Sequence, residues 1–361
     1  MTLILTAEEE SLRDSVRRFV ADRSPLTKVR DLIAAGEPYD AEVWKQLAAQ
    51  LGLAGLIIPA EYGGAGAGWS ALSTALTELG AGLVPSPLLA VSLAAGVLLQ
   101  LDDDGARDRL LPGIAAGDLI VTLAAVADGG QVITSGDGDD LRLSGELSPV
   151  LNGAQADAFL IPARRAGGTV LCLADREAAG LTVTPLTTAD HTRALARLRL
   201  DGAPARPLAG DGPAALAAAG DLVNLALAAE QCGGMAACLA MTAEYAKIRV
   251  AFGQPIGAFQ AVKHKLADMA TARELAYAAL RAAADCAGER PGKFPAAASV
   301  ARVTVSAAYF EAAADTIQLH GGIGYTWEHD AHLYYKNALS GKVLFGDPGA
   351  QLDRLAATLR L

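Results

Sequence analysis

Two stretches in the last third of the chain decide its reading: Arg249-Val250-Ala251-Phe252-Gly253-Gln254-Pro255-Ile256-Gly257-Ala258-Phe259-Gln260 and Gln318-Leu319-His320-Gly321-Gly322-Ile323-Gly324-Tyr325-Thr326-Trp327-Glu328. Both are marked by glycines, and Gly253, Gly257, Gly321, Gly322 and Gly324 let backbone come close to a ligand or turn sharply. Arg249 supplies a cation, Gln260 and Gln318 supply amides, and Phe252, Ile256 and Phe259 supply apolar contact. A dinucleotide asks for that combination: cations and backbone donors near its pyrophosphate, flat apolar or amide surface near its rings. Glycines that only shape loops at helix ends are the competing reading, and for a lone Gly-Gly-x-Gly that reading would prevail. Two such segments about 65 residues apart favour the ligand.

Working outward, the rest of the chain falls into three parts. Thr6-Ala7-Glu8-Glu9 fits a capping box that opens a helix through Leu12, Val16, Phe19 and Val20. Helical sequence returns over 41–53, through Leu72, Glu78 and Leu79, and over 88–101, with the glycine-rich break Tyr62-Gly63-Gly64 between. Residues 1–118 therefore read as a helical domain. Short β-like runs then follow: Leu119 to Leu123, Asp140 to Ser144, Ala158 to Ile161, Val170 to Leu173 and Leu181 to Thr184, punctuated by Asp, Gly and Pro. They make 119–208 a small β domain. From 209 to 361 helical sequence resumes over 216–248, 260–287, 295–320 and 351–359. The fold class is α+β, with helical domains before and after a β domain.

Composition narrows the function classes. At 361 residues, 52% hydrophobic and 19% charged, the chain suits a compact globular protein. Its formal charge of −10 disfavours nucleic acid and anionic membrane surfaces as partners. Cys172, Cys232, Cys238 and Cys286 have no zinc spacing and read as buried reduced thiols. The longest apolar run, 87–101, is interrupted by Ser92 and Gln100 and at about fifteen residues is short of a membrane span. Met1 to Thr6 lacks a signal-peptide pattern, so a cytoplasmic protein is expected. His329 and His332 sit i and i+3 but lack acidic or Cys companions at ligand spacing, and no metal is expected.

The order and spacing of these elements resemble the acyl-CoA dehydrogenase family over nearly the whole chain. Leu51-Gly52-Leu53-Ala54-Gly55-Leu56 through Tyr62-Gly63-Gly64, then Glu78-Leu79-Gly80, resemble its N-terminal signatures, and the two glycine segments resemble its C-terminal ones. The resemblance implies an N-terminal helical domain, a middle β domain, a C-terminal four-helix bundle, and FAD-dependent oxidation of an acyl-CoA substrate. It further implies that the flavin lies at a subunit interface, where the two segments reach the ADP half of a flavin held mainly by the neighbour. Carried over, the contacts are Arg249, Phe252, Ile256, Phe259, Gln260, Gln318, Gly321 and Gly322.

The chain departs from the family where the chemistry is done. The family's base is a Glu in a segment occupied here by Leu344-Phe345-Gly346-Asp347, which puts Phe345 at the base position. The alternative base position, on the earlier helix, falls at Val223. Asp347, Asp221 and Glu230 are nearby carboxylates; Glu230 lies in an apolar run where burial should raise its pKa or demand a partner. In the β domain, Leu123 to Asp128-Gly129-Gly130 replaces the family's hydrogen-bonding Thr-Glu-Pro and Gly-Ser-Asp region, and Pro149 and Leu151 stand where it has the Trp and Thr beside the flavin ring, while Asn152 to Asp157 and Asp190 to Arg193 keep its frame. What serves a neighbour's flavin survives and what serves the chain's own is lost. That pattern resembles the non-catalytic subunit of the actinobacterial α2β2 heterotetramers, whose catalytic partner subunit supplies the Glu, with an electron-transfer flavoprotein as acceptor. A self-sufficient homo-oligomer with a relocated carboxylate, or a structural subunit without flavin, are the alternatives.

Overall fold

The computed structural model of the chain describes residues 4–125, 131–136 and 140–360. Met1 to Leu3 of the N-terminal reading, and Asp128-Gly129-Gly130, lie outside the described residues. In chain order the helices are α1 (Ala7–Arg23), α2 (Leu26–Ala35), α3 (Ala41–Lys45), α4 (Gly68–Ala81), α5 (Leu88–Leu98) and α6 (Asp104–Ala116). After seven strands come α7 (Gly212–Ile248), α8 (Gln260–Glu289), α9 (Phe294–His320), α10 (Ala331–Val343) and α11 (Pro348–Leu359). The seven strands are β1 (Val121–Leu123), β2 (Val132–Ser135), β3 (Leu141–Leu151), β4 (Ala158–Arg165), β5 (Gly168–Asp175), β6 (Leu181–Pro185) and β7 (Leu195–Pro207). A two-stranded ribbon, β8 (Val250–Ala251) and β9 (Gln254–Pro255), joins α7 to α8. Helices, then a β domain, then helices: the expected fold class is what forms.

Leu32–Leu72 and Pro85–Val223 make one compact unit. Its sheet runs β4-β2-β3-β7-β5, and β5 pairs again with β4, so five strands close on themselves. β1 adds parallel to β4, and β6 antiparallel to β7. Closure leaves few unpaired edges. Alternation sets the faces: Leu141 and Leu143 are buried around exposed Arg142, and Ala196, Leu198 and Leu200 around exposed Arg197 and Arg199. β2 and β7 were not among the expected strands. In β7 the buried positions are small or aliphatic and the alternate ones arginine, a period-2 pattern that composition alone hides. Asn152 to Asp157 turns the chain between β3 and β4, the Asp157 carboxylate accepting the Ile120 N–H at 2.8 Å. α5 is buried at every position, as an all-apolar helix must be. α6 is capped by Asp103, whose carboxylate accepts from the Ala106 and Ala209 N–H groups and pairs with Arg206 at 2.8 Å.

The second unit comprises Met1–Asp31, Ser73–Val84 and Asn224–Leu361. Thr6 and Glu9 form the expected capping box on α1, and Glu9 also pairs with buried Arg281 of α8 at 3.0 Å. Arg17 donates through Nε and Nη2 to Glu78 of α4, both at 2.9 Å, a bidentate pair. α4 and α7 cross with almost no separation. A Cβ on Gly80 would lie 2.1 Å from the Glu230 carbonyl oxygen, and one on Gly233 would lie 1.8 Å from that of Thr77. Only glycine permits backbone to meet backbone at that distance. α7 is long and apolar enough to cross a bilayer by length and composition, yet 67% of its most apolar window is buried inside the fold. It is a core helix, longer than the 87–101 run that the sequence reading singled out.

Candidate functional site

The first glycine segment is a tight hairpin at the end of α7. Val250 pairs with Pro255 and Ala251 with Gln254, leaving Phe252-Gly253 as a two-residue loop. Both loop residues have positive φ, 52° and 80°, the signature of a type I′ turn. Glycine adopts that backbone freely, whereas a bulky aromatic rarely does. Phe252 is nonetheless held there with 95% of its surface exposed, its ring edge-on to Phe259 at 6.2 Å. The Ile256 N–H donates to the Arg249 carbonyl at 2.8 Å and closes the ribbon's base.

The second segment ends α9. Gly321 takes φ 64° as the helix stops, and a 3-10 turn over Gly321–Tyr325 follows. Gly324 packs under the turn, where a Cβ would meet the Ile317 carbonyl at 2.9 Å, while nothing lies within 4 Å of a Cβ on Gly321 or Gly322. Their backbone faces open space.

A histidine and a tyrosine bring the two segments together. Tyr245, one helical turn before Arg249, stacks on His320 with ring centroids 4.3 Å apart, and His320 in turn lies 4.3 Å from the His329 ring. The Tyr245 hydroxyl donates to the His320 carbonyl at 3.4 Å. Burial pushes the His320 pKa below its ordinary value, against the hydrogen bond to the Thr316 carbonyl; its Nε2 has no partner among the described residues. His332 stands beside Trp327, and burial together with Lys336 and Arg30 lowers its pKa to about 4. The sequence favours a packing or surface role for these histidines over metal binding; the ring partners Tyr245 and Trp327 are what it does not name.

Arg249, Phe252, Gln260, Gln318, Gly321 and Gly322 are exposed, and Ile256 and Phe259 half-buried. Among the described residues, the side chains of Arg249, Gln260 and Gln318 make no hydrogen bond or ion pair within the chain. Ile248, Val250, Ile323, Tyr325 and Trp327 add exposed apolar surface beside them. One end of the unit thus offers a cation, two amides, open glycine backbone and aromatic surface, a donor set that fits a dinucleotide's phosphates and rings.

The positions expected to carry a base are apolar. Phe345 is half-buried with φ 60°, and Val223 is buried. The Phe345 loop is fixed by Arg302, 1% exposed, whose Nη2 donates to the Gly341 and Leu344 carbonyls at 2.6 and 3.0 Å. Asp347 caps α11, accepting the Ala350 N–H at 2.8 Å. Glu230 is half-buried and Asp221 buried, and each is engaged in an interaction within the chain.

Comparison with known proteins places this geometry. Family models match residues 6–118 (acyl-CoA dehydrogenase, N-terminal domain) and 218–359 (acyl-CoA dehydrogenase, C-terminal domain). Acyl-CoA dehydrogenase IpdE2 of Mycobacterium tuberculosis is 37% identical over 350 residues, covering 96% of each chain. Among solved structures, a chain of the ChsE4–ChsE5 complex from Mycobacterium tuberculosis superposes with TM-score 0.93 at 30% identity over 100% of this chain and 99% of that one. A variant of the Tcur3481–Tcur3483 steroid acyl-CoA dehydrogenase gives 0.90 at 33% identity over 98% of each.

Proposed function

This chain belongs to the acyl-CoA dehydrogenase family, and we propose that within it the chain completes the FAD site of a catalytic partner subunit in an α2β2 assembly. Its domains would be 1–118, 119–208 and 209–361, and its compartment cytoplasmic. Two similar solved structures that carry paired names, the ChsE4–ChsE5 complex and the Tcur3481–Tcur3483 steroid acyl-CoA dehydrogenase, support the heteromeric reading.

The observation that carries it is the contrast between two sets of residues. Arg249, Gln260 and Gln318 stand exposed with no partner among the described residues, beside the open backbone of Gly321 and Gly322. Phe345 and Val223 offer no proton acceptor where a base would be required. A bound FAD would supply hydride acceptance from the acyl-CoA β carbon. This chain's residues would bind and orient: Arg249 would neutralise the pyrophosphate, Gly321 and Gly322 would donate backbone N–H groups to it, and Phe252, Ile256 and Phe259 would pack against the rings. The partner's carboxylate would take the α proton of the acyl-CoA, and electrons would leave through an electron-transfer flavoprotein.

Flavin content tests the reading. The chain purified alone is expected to be colourless, and the complex with its partner to hold FAD. Arg249→Ala should weaken FAD retention in the complex by roughly 10- to 100-fold, the loss of one charge-assisted contact. Stoichiometric FAD on the lone chain, bleaching with an acyl-CoA, would overturn the proposal and favour a homo-oligomer whose base is Glu230, Asp221 or Asp347.

A further inference from the structure

A cavity of about 450 Å3 opens within the unit of Met1–Asp31, Ser73–Val84 and Asn224–Leu361, and no residue of the hairpin or glycine turn lines it. Small-molecule sites begin at roughly 300 Å3, so the space suffices for one. Its floor is one face of α7, where Gly233, Ala236, Ala237 and Ala240 recur at helical spacing and are too small to fill it. Tyr277 and Leu280 of α8 form the facing wall.

The lining is cationic in a chain of net charge −10. Arg13 and Arg17 of α1 and Arg273 and Arg281 of α8 line it, against Glu78 and Glu274. Two of the four arginines are committed: Arg17 to Glu78 and Arg281 to Glu9. Among the described residues the other two pair with the next residue on their own helices, Arg13 with Asp14 and Arg273 with Glu274, acids that are 56% and 65% exposed. Exposed pairs of that kind contribute little and exchange readily for a better partner.

An apolar hollow under two recruitable guanidinium groups matches one class of molecule. We propose that this cavity binds a medium-chain fatty carboxylate, its alkyl chain against the alanine face of α7 and its carboxylate held by Arg13 and Arg273. The site is independent of the flavin reading, since it shares no residue with the glycine segments.

Calorimetric titration of the full chain with sodium decanoate tests it, with 1-decanol as the neutral counterpart. Saturable one-site binding of decanoate is expected, and the double variant Arg13→Ala/Arg273→Ala should weaken it at least roughly tenfold. Ala237→Phe fills the floor and should abolish binding. Ala240→Trp, at the exposed rim of the same face, should do so with less risk to folding and decides the matter if Ala237→Phe does not fold. No saturable heat, equal affinity for decanol, or unchanged binding in Ala240→Trp would overturn the proposal.

Discussion

Replacing Gly233 by alanine tests how tightly α4 and α7 are joined. The added Cβ would lie 1.8 Å from the Thr77 carbonyl oxygen, 2.6 Å from the Ala81 nitrogen and 2.8 Å from the Thr77 carbonyl carbon. All three are backbone atoms, so no rotamer change relieves the overlap. Restoring ordinary contact requires the helices to part by more than about 1 Å, and a gap of that order forfeits a quarter to a half of each facing van der Waals attraction. Leu76 and Leu79, 1% and 3% exposed on α4, are among the side chains affected. Alanine's better helix propensity returns only about 1 kcal/mol. We expect a net loss of about 2–3 kcal/mol. Chemical denaturation followed by circular dichroism measures it, with Gly292→Ala as control. Gly292 has no atom within 4 Å of a Cβ and no positive φ, so that variant should be neutral or slightly stabilising. Gly80→Ala attacks the same crossing from α4, so the double variant should cost less than the two singles together. A Gly233→Ala protein within about 0.5 kcal/mol of wild type would refute a backbone-tight crossing.

Three further outcomes follow from other buried groups. Arg302→Met should cost about 3–5 kcal/mol in denaturation, because it strips donors from the buried carbonyls of Gly341 and Leu344 and from Gln231 Oε1. Arg302→Lys should restore little, since one ammonium cannot span the fork's partners. His332, whose folded pKa lies near 4 and whose ordinary value is 6.5, favours the folded state while neutral. Its contribution is intact above pH 6.5 and lost as pH falls towards 4, because the unfolded chain binds the proton first; His332→Phe should flatten stability across that window. Burial raises the Asp103 pKa, but Arg206 and the Ala209 and Ala106 N–H groups outweigh it and hold the carboxyl below 3.8. Its contribution should vanish as pH falls through that lowered value, and Asp103→Ala should cost about 1–3 kcal/mol in thermal unfolding at neutral pH.

Much of the fold was legible because local rules and tertiary structure agree. Thr6 and Glu9 form the capping box their spacing announces, and Leu88–Leu98 is buried all round as its composition requires. Strands in continuous apolar runs, such as Ala158 to Ile161, were visible for the same reason. β7 was not, because its exposed positions are arginines and its buried ones include alanine, and the barrel rather than the sequence supplies its β character. The helix expected over 41–53 keeps α geometry only to Lys45, continues as a π-helical turn to Gln50 and ends at Gly52 with φ 65°. At the candidate site the glycines and Arg249 were readable as a motif. The Tyr245–His320 stack was not, since nothing in one dimension brings residues 75 positions apart into contact.

The Phe252-Gly253 turn carries a consequence for how the chain lives in a cell. An aromatic tip with 95% of its surface in water, on a hairpin that also exposes Ile248 and Val250, is an aggregation liability when nothing covers it. Copies made in excess of a covering partner would aggregate or be degraded, so their abundance would follow that of the partner. On the proposed heteromeric function, matched synthesis of this chain and its partner would then determine how much of the assembly accumulates.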